Sequence, residues 1–124
     1  MEPQVVRPDP ANERFTEERC HILESWNDPT DPDVAIARAL VEPGVVTARH
    51  LLEVDERYVI TAGHGRVNVE GLDPADVAPG DVVVIPAGAA QRIANTGDVD
   101  LVFYCVCTPR FESRHYHGID ETSR

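Results

Sequence analysis

Two stretches of this 124-residue chain are punctuated by glycine at fixed spacing, and they constrain the fold more than any other feature. The first runs Gly44, His50, Leu52, Glu56, Gly63; the second runs Gly80, Pro86, Gly88, Gln91, Asn95. Between these punctuation marks lie short runs rich in Val, Ile and Ala, closed by Gly, Pro, Asn and Asp. No segment has helical periodicity. Many short strands with turn signals roughly every 8–12 residues predict a β-sandwich or small barrel.

The strands are read as Val34–Val41, Val45–Leu52, Arg57–Ala62, Arg66–Val69, Val82–Ile85, Gln91–Asn95 and Leu101–Cys107. Glu53-Val54-Asp55, Gly63-His64-Gly65, Pro79-Gly80 and Thr96-Gly97-Asp98 are turns, and Glu70 to Ala75 is a loop. Alternation within Val45–Leu52 puts Ala48, His50 and Leu52 on one face, and Thr47, Arg49 and Leu51 on the other. Before the strands, Met1–Asn12 reads as an extended arm, Phe15–Leu23 as either a short strand or a turn, and Trp26 to Asp33 as a loop. After them, Phe111–Arg124 reads as a polar tail. The expected organisation is therefore an arm over residues 1–33, a barrel over 34–110 and a tail over 111–124.

The two glycine-punctuated segments resemble the signature motifs of the cupin superfamily, G-x5-H-x-H-x3–4-E-x6-G and G-x5-P-x-G-x2-H-x3-N. Eight of the ten marked positions match, and the misses are Leu52 and Gln91. The resemblance covers about Val34 to Thr108. Cys107-Thr108-Pro109-Arg110-Phe111 also looks like the ending of small single-domain cupins. The resemblance implies an all-β jelly-roll barrel, the double-stranded β-helix. It also implies a homodimer, formed in such proteins by exchange of N-terminal strands, a role that Val5–Leu23 would suit.

Metal-dependent cupins hold Fe, Mn, Ni or Zn through three His and one Glu. The corresponding residues here are His50, Leu52, Glu56 and Gln91. An imidazole and a carboxylate suit first-row metals. Leu52 has no donor, and Gln91 offers a neutral amide oxygen. Two readings stand: a weakened divalent-metal site at His50, Glu56 and Gln91, or a buried hydrogen-bonded cluster of the same three residues. Both require them to face one cavity. Tyr58 shares the strand face of Glu56 and either lines that cavity or packs as a rim or core aromatic, while Arg57 points away. Arg49 reads as a surface ion-pairing residue.

Cys105 and Cys107 share a face with Leu101 and Phe103. They are either a substitute ligand or small buried hydrophobes. Val102, Tyr104 and Val106 are as apolar, so the inward face is open at this point. His115 and His117 fall in the tail and read as solvated. His64 lies exposed between two glycines, and His21 has only Cys20 beside it.

The formal net charge is −11 with no Lys at all, a field that repels nucleic acid and anionic lipid. Three cysteines with no C-x-x-C pair fit reduced thiols rather than a disulfide framework. No run approaches the ~20 apolar residues of a membrane span, and the acidic, proline-rich start has no signal-peptide pattern. A cytoplasmic protein is expected. No nucleophile elbow, phosphate loop or dinucleotide fingerprint is present. The functional expectation is a small polar ligand, sugar-like or a carboxylic acid, bound inside the barrel by His50, Glu56, Tyr58 and Gln91. The alternative is a metal-dependent enzyme, a sugar isomerase or epimerase or an oxygenase, in which Glu56 is metal ligand or general base.

Overall fold

The computed structural model describes residues 1–119. Among these residues eleven strands form two antiparallel sheets. They are β1 (Arg14–Phe15), β2 (His21–Trp26), β3 (Ala35–Val41), β4 (His50–Leu52), β5 (Asp55–Ala62), β6 (Gly65–Val69), β7 (Ala75–Val77), β8 (Val82–Ile85), β9 (Gln91–Asn95), β10 (Leu101–Thr108) and β11 (Tyr116–Gly118). One sheet has the order β1-β2-β3-β10-β5-β8, the other β11-β4-β9-β6-β7. The runs β3-β10-β5-β8 and β11-β4-β9-β6 pair strands from distant parts of the chain, as the jelly roll requires. No helix among the described residues is long and apolar enough to cross a membrane.

The period of two decides what is inside. Along β5, Glu56, Tyr58 and Ile60 are buried while Arg57 and Val59 are less covered. Along β10 the inward residues are Leu101, Phe103, Cys105 and Cys107, which answers the question that composition left open. Val41, Ile60, Val67, Ile85, Ile93 and Leu101 fill the centre at 0–1% exposure. At about 25 cal/mol per Å² of apolar surface, each such side chain contributes about 2 kcal/mol.

The motif glycines and the motif asparagine are turn and packing devices. Gly63 sits at φ 80°, and a Cβ there would stand 2.5 Å from the Asp100 carbonyl oxygen and 2.9 Å from Leu101 Cα, so only glycine fits the turn between β5 and β6. Asn95 donates to the Val41 and Val99 carbonyls at 2.8 Å each and accepts from Gly97 N–H at 2.9 Å, tying the end of β9 to β3 and the following turn.

Four expectations need correction. Val45–Leu52 is not one strand: only His50–Leu52 has regular pairing. Val45, Val46 and Thr47 are held instead by an isolated bridge to Ala94 and by bonds to Ile93 and Asn95. That irregular stretch turns Thr47 inward, where its hydroxyl accepts from Ile93 N–H at 3.0 Å. The loop reading of Glu70 to Ala75 stops where β7 begins. Trp26 belongs to β2, whose pairing with β3 shifts register beside it. The tail reading fails at Phe111–Gly118. A short 3-10 turn over Ser113–His115 leads into β11, which pairs with β4 and matches Tyr116 with Leu52 and Gly118 with His50. His115 is buried, and its ring nitrogen accepts from Glu112 N–H at 3.0 Å. The polar composition hid this strand because only its first residue faces the interior. The remainder of the tail reading, 120–124, lies outside the described residues.

Candidate functional site

A cavity of about 530 Å³ lies inside the shell. Its floor is buried and carries His50 from β4, Glu56 and Tyr58 from β5, and Phe103 and Cys107 from β10. Its mouth carries Arg14, Phe15, Glu17, Glu24 and Ser113, all exposed.

His50 is 4% exposed. Its Nδ1 lies 2.9 Å from the Ala48 carbonyl. A carbonyl only accepts, so Nδ1 carries the hydrogen, and in the neutral ring Nε2 presents a lone pair. Nε2 stands 3.8 Å from Glu18 Oε1. The opposite partner of the ring is Tyr116, stacked with centroids 5.2 Å apart and planes at 21°.

Glu56 is tied down on both oxygens. Oε1 accepts from Gln91 Nε2 at 2.9 Å, and Oε2 from the Cys107 thiol at 3.9 Å. Gln91 Oε1 in turn accepts from the Tyr58 hydroxyl. A relay Tyr58–Gln91–Glu56 results, and glutamine suits its middle position because one amide both donates and accepts. Every buried side-chain polar atom among the described residues has a partner.

Burial dominates the electrostatics. It pushes the Glu18 carboxyl up to about 7, with the neighbouring Glu17 charge adding to the effect. It also raises Glu56, against the pull of the Gln91 hydrogen bond and the His50 charge, while Glu18 adds to the rise. Cys20 and Cys107 are both pushed up to about 12 by burial first and by nearby glutamates second, and burial followed by the Glu56 charge likewise raises Cys105 well above its ordinary value. All three line the cavity as neutral thiols, poor nucleophiles and poor ligands in that form.

Of the residues singled out from sequence, His50, Glu56 and Tyr58 face the cavity. Gln91 stands behind them, 1% exposed and outside the cavity wall. Leu52 lines the cavity but brings no donor, and the Gln91 oxygen is already engaged. Among the described residues no group of three or more His, Cys, Asp or Glu side chains is arranged to hold a metal ion. The residues present do not fit the three-histidine, one-glutamate centre.

Sequence reading missed Glu18, Cys20, Thr47 and Tyr116, all of which line the cavity. Glu18 reaches it from a tight turn closed by Thr16 N–H on the Cys20 carbonyl at 2.9 Å and docked by Ala48 N–H on the Glu18 carbonyl at 3.0 Å. Arg19 sits at φ 69° and donates from Nε to the Val46 carbonyl at 2.9 Å. A non-glycine residue in the left-handed region costs about 1 kcal/mol. Nothing in the sequence separates Glu18 from Glu17.

A protein-family model described as the cupin domain matches residues 37–107, more than half of the chain. The chain belongs to the cupin family. No curated protein matches this cupin. Among solved structures it is similar to KdgF from Halomonas sp., at 20% identity and TM-score 0.70, covering 81% of this chain and 89% of that one. It is also similar to a predicted oxalate decarboxylase from Thermotoga maritima, at 23% identity and TM-score 0.75, covering 86% and 99%. A third is a Streptomyces nucleoside dehydratase solved with uridine, at 12% identity and TM-score 0.75, covering 94% and 92%. At these identities the likeness is one of fold.

Proposed function

We propose that this cupin binds a small, hydroxyl-bearing molecule, sugar-like rather than a carboxylic acid, in its barrel cavity without a tight metal centre. The observation that carries the reading is the convergence of Glu18, His50 and Glu56 on the floor of a cavity large enough for a monosaccharide or nucleoside. Two carboxylates accept hydrogen bonds from hydroxyls and repel a third carboxylate. A nucleoside ligand in one structural neighbour is in keeping with such a cavity. The test is a panel of neutral sugars and nucleosides, followed by thermal shift and calorimetry with and without a chelator. Saturable binding that survives the chelator and is lost in His50→Ala is expected. Binding that requires added metal would overturn the reading.

A second reading, a metal-free isomerase or epimerase, draws on the His50 tautomer. In the neutral ring Nε2 presents its lone pair beside a Glu18 carboxyl whose pKa lies near neutrality. The imidazole would take a proton from the ligand and the carboxyl would return one. Turnover of a panel hit, with a pH profile that loses one limb in Glu18→Gln, is the result that would favour it.

We also propose a cytoplasmic homodimer. Free Cys20, Cys105 and Cys107 suit a reducing compartment. The outer face of the larger sheet carries Val59, Val82, Val84, Val102 and Val106, and its edge strand β8 is unpaired on one side. Val82 is 56% and Val84 66% exposed. A second copy laid on this face would cover both the valines and the edge.

A further inference from the structure

The aromatic residues of this chain are gathered in one place. The sequence holds seven, and five of them, Phe15, Tyr58, Phe103, Phe111 and Tyr116, line the cavity described above. Four glutamates, Glu17, Glu18, Glu24 and Glu56, line it too. The only Arg or Lys among the described lining residues is Arg14, exposed at the mouth on β1. Aromatic faces carry negative quadrupole density, so rings and carboxylates attract the same partner, a cation.

We propose that the ligand of this cavity carries a positive charge: it is a small organic ammonium, such as an amino alcohol or amino sugar, seated between the Tyr116 ring and the carboxylates of Glu18 and Glu56. The inference rests on the reading of the cavity as a ligand site and names the charge of its occupant.

The geometry puts the three groups together. Tyr116 stacks on His50 at 5.2 Å, and the free edge of the same imidazole is 3.8 Å from Glu18. Ring and carboxylate therefore meet at one corner of the cavity. Glu56 lines the same cavity, fixed by Gln91 and Cys107. The His50 Nε2 lone pair can accept from a hydroxyl or N–H of the ligand, which an aprotic cation would leave unused. An anion entering here would meet the carboxylates of Glu18 and Glu56 with no Arg or Lys at the floor to offset them. A neutral molecule would gain nothing from them beyond hydrogen bonds. The field of a chain with net charge −11 draws cations toward the mouth in the same sense.

The test uses three probes of one shape on the full chain at about pH 8: choline, its uncharged carbon isostere dimethylbutanol, and the anionic dimethylbutanoate. Calorimetry is expected to give choline at least about tenfold tighter binding than the alcohol, and no binding of the anion. Glu18→Gln and Tyr116→Leu should each narrow the gap between choline and the alcohol. Equal affinity for the two, or tighter binding of the anion, overturns the charge inference. If the neutral panel of sugars and nucleosides binds while choline shows no advantage, the charge inference alone falls. If neither set binds, the ligand-site reading falls with it.

Discussion

At the scale of single residues, the site is a set of carboxyl groups kept partly out of water. Glu18 shows the consequence for stability. Its carboxyl titrates near 7 in the folded chain against an ordinary 4.5, so between those values the folded chain holds a proton that the unfolded chain has lost. The stabilisation from that proton is complete below about pH 4.5 and is lost as pH rises through about 7, amounting to at most about 3 kcal/mol. Glu18→Gln should therefore match the parent in melting temperature near pH 4 and exceed it near pH 8. An identical pH profile for the two proteins would contradict the burial of this carboxyl. Gln91 gives a second prediction. Gln91→Leu strands the Tyr58 hydroxyl and one oxygen of Glu56, and should cost about 1–3 kcal/mol in urea denaturation; a neutral outcome would mean the relay is not formed. His50, Glu56 and Gln91 were legible in the sequence because motif spacing marks them. Glu18 was not, because it enters through a turn that depends on a left-handed Arg19 and on a backbone bond to Ala48, a contact across 30 residues of chain.

At the scale of elements, strands flanked by glycine and proline were legible almost to the residue, and β8 and β9 coincide with the sequence reading. Their limits are set by local turn chemistry. An element whose pairing is supplied by distant chain was not legible: β11 is short and polar, and it exists because β4 offers free backbone groups. Strand β11 bears on the cavity, since it carries Tyr116 over His50 and seats His117 2.5 Å from Glu53. Ending the chain at Arg110 should lower the melting temperature and open the cavity. Thiol titration with a disulfide reagent would report the opening, with Cys105 and Cys107 reacting at least about tenfold faster than in the full chain. Unchanged thiol reactivity would show that the strand does not cover the site.

At the scale of the whole molecule, two sheets close on a cavity whose floor is polar and whose walls are aromatic, within a strongly acidic chain. The outer valine face predicts association. Light scattering should give a particle of twice 13.7 kDa for the parent and a monomer for Val84→Asp; a parent monomer at micromolar concentration would contradict the dimer. The central claim is that the floor of the barrel is a ligand site built by Glu18, His50 and Glu56 and not a metal centre. It is tested most directly by a crystal structure at high resolution of protein purified without chelators and soaked with the tightest panel ligand. Density for an organic molecule within hydrogen-bonding distance of His50 Nε2 and Glu18 is expected. A metal ion bonded to His50, Glu56 and Gln91 in that position would contradict it.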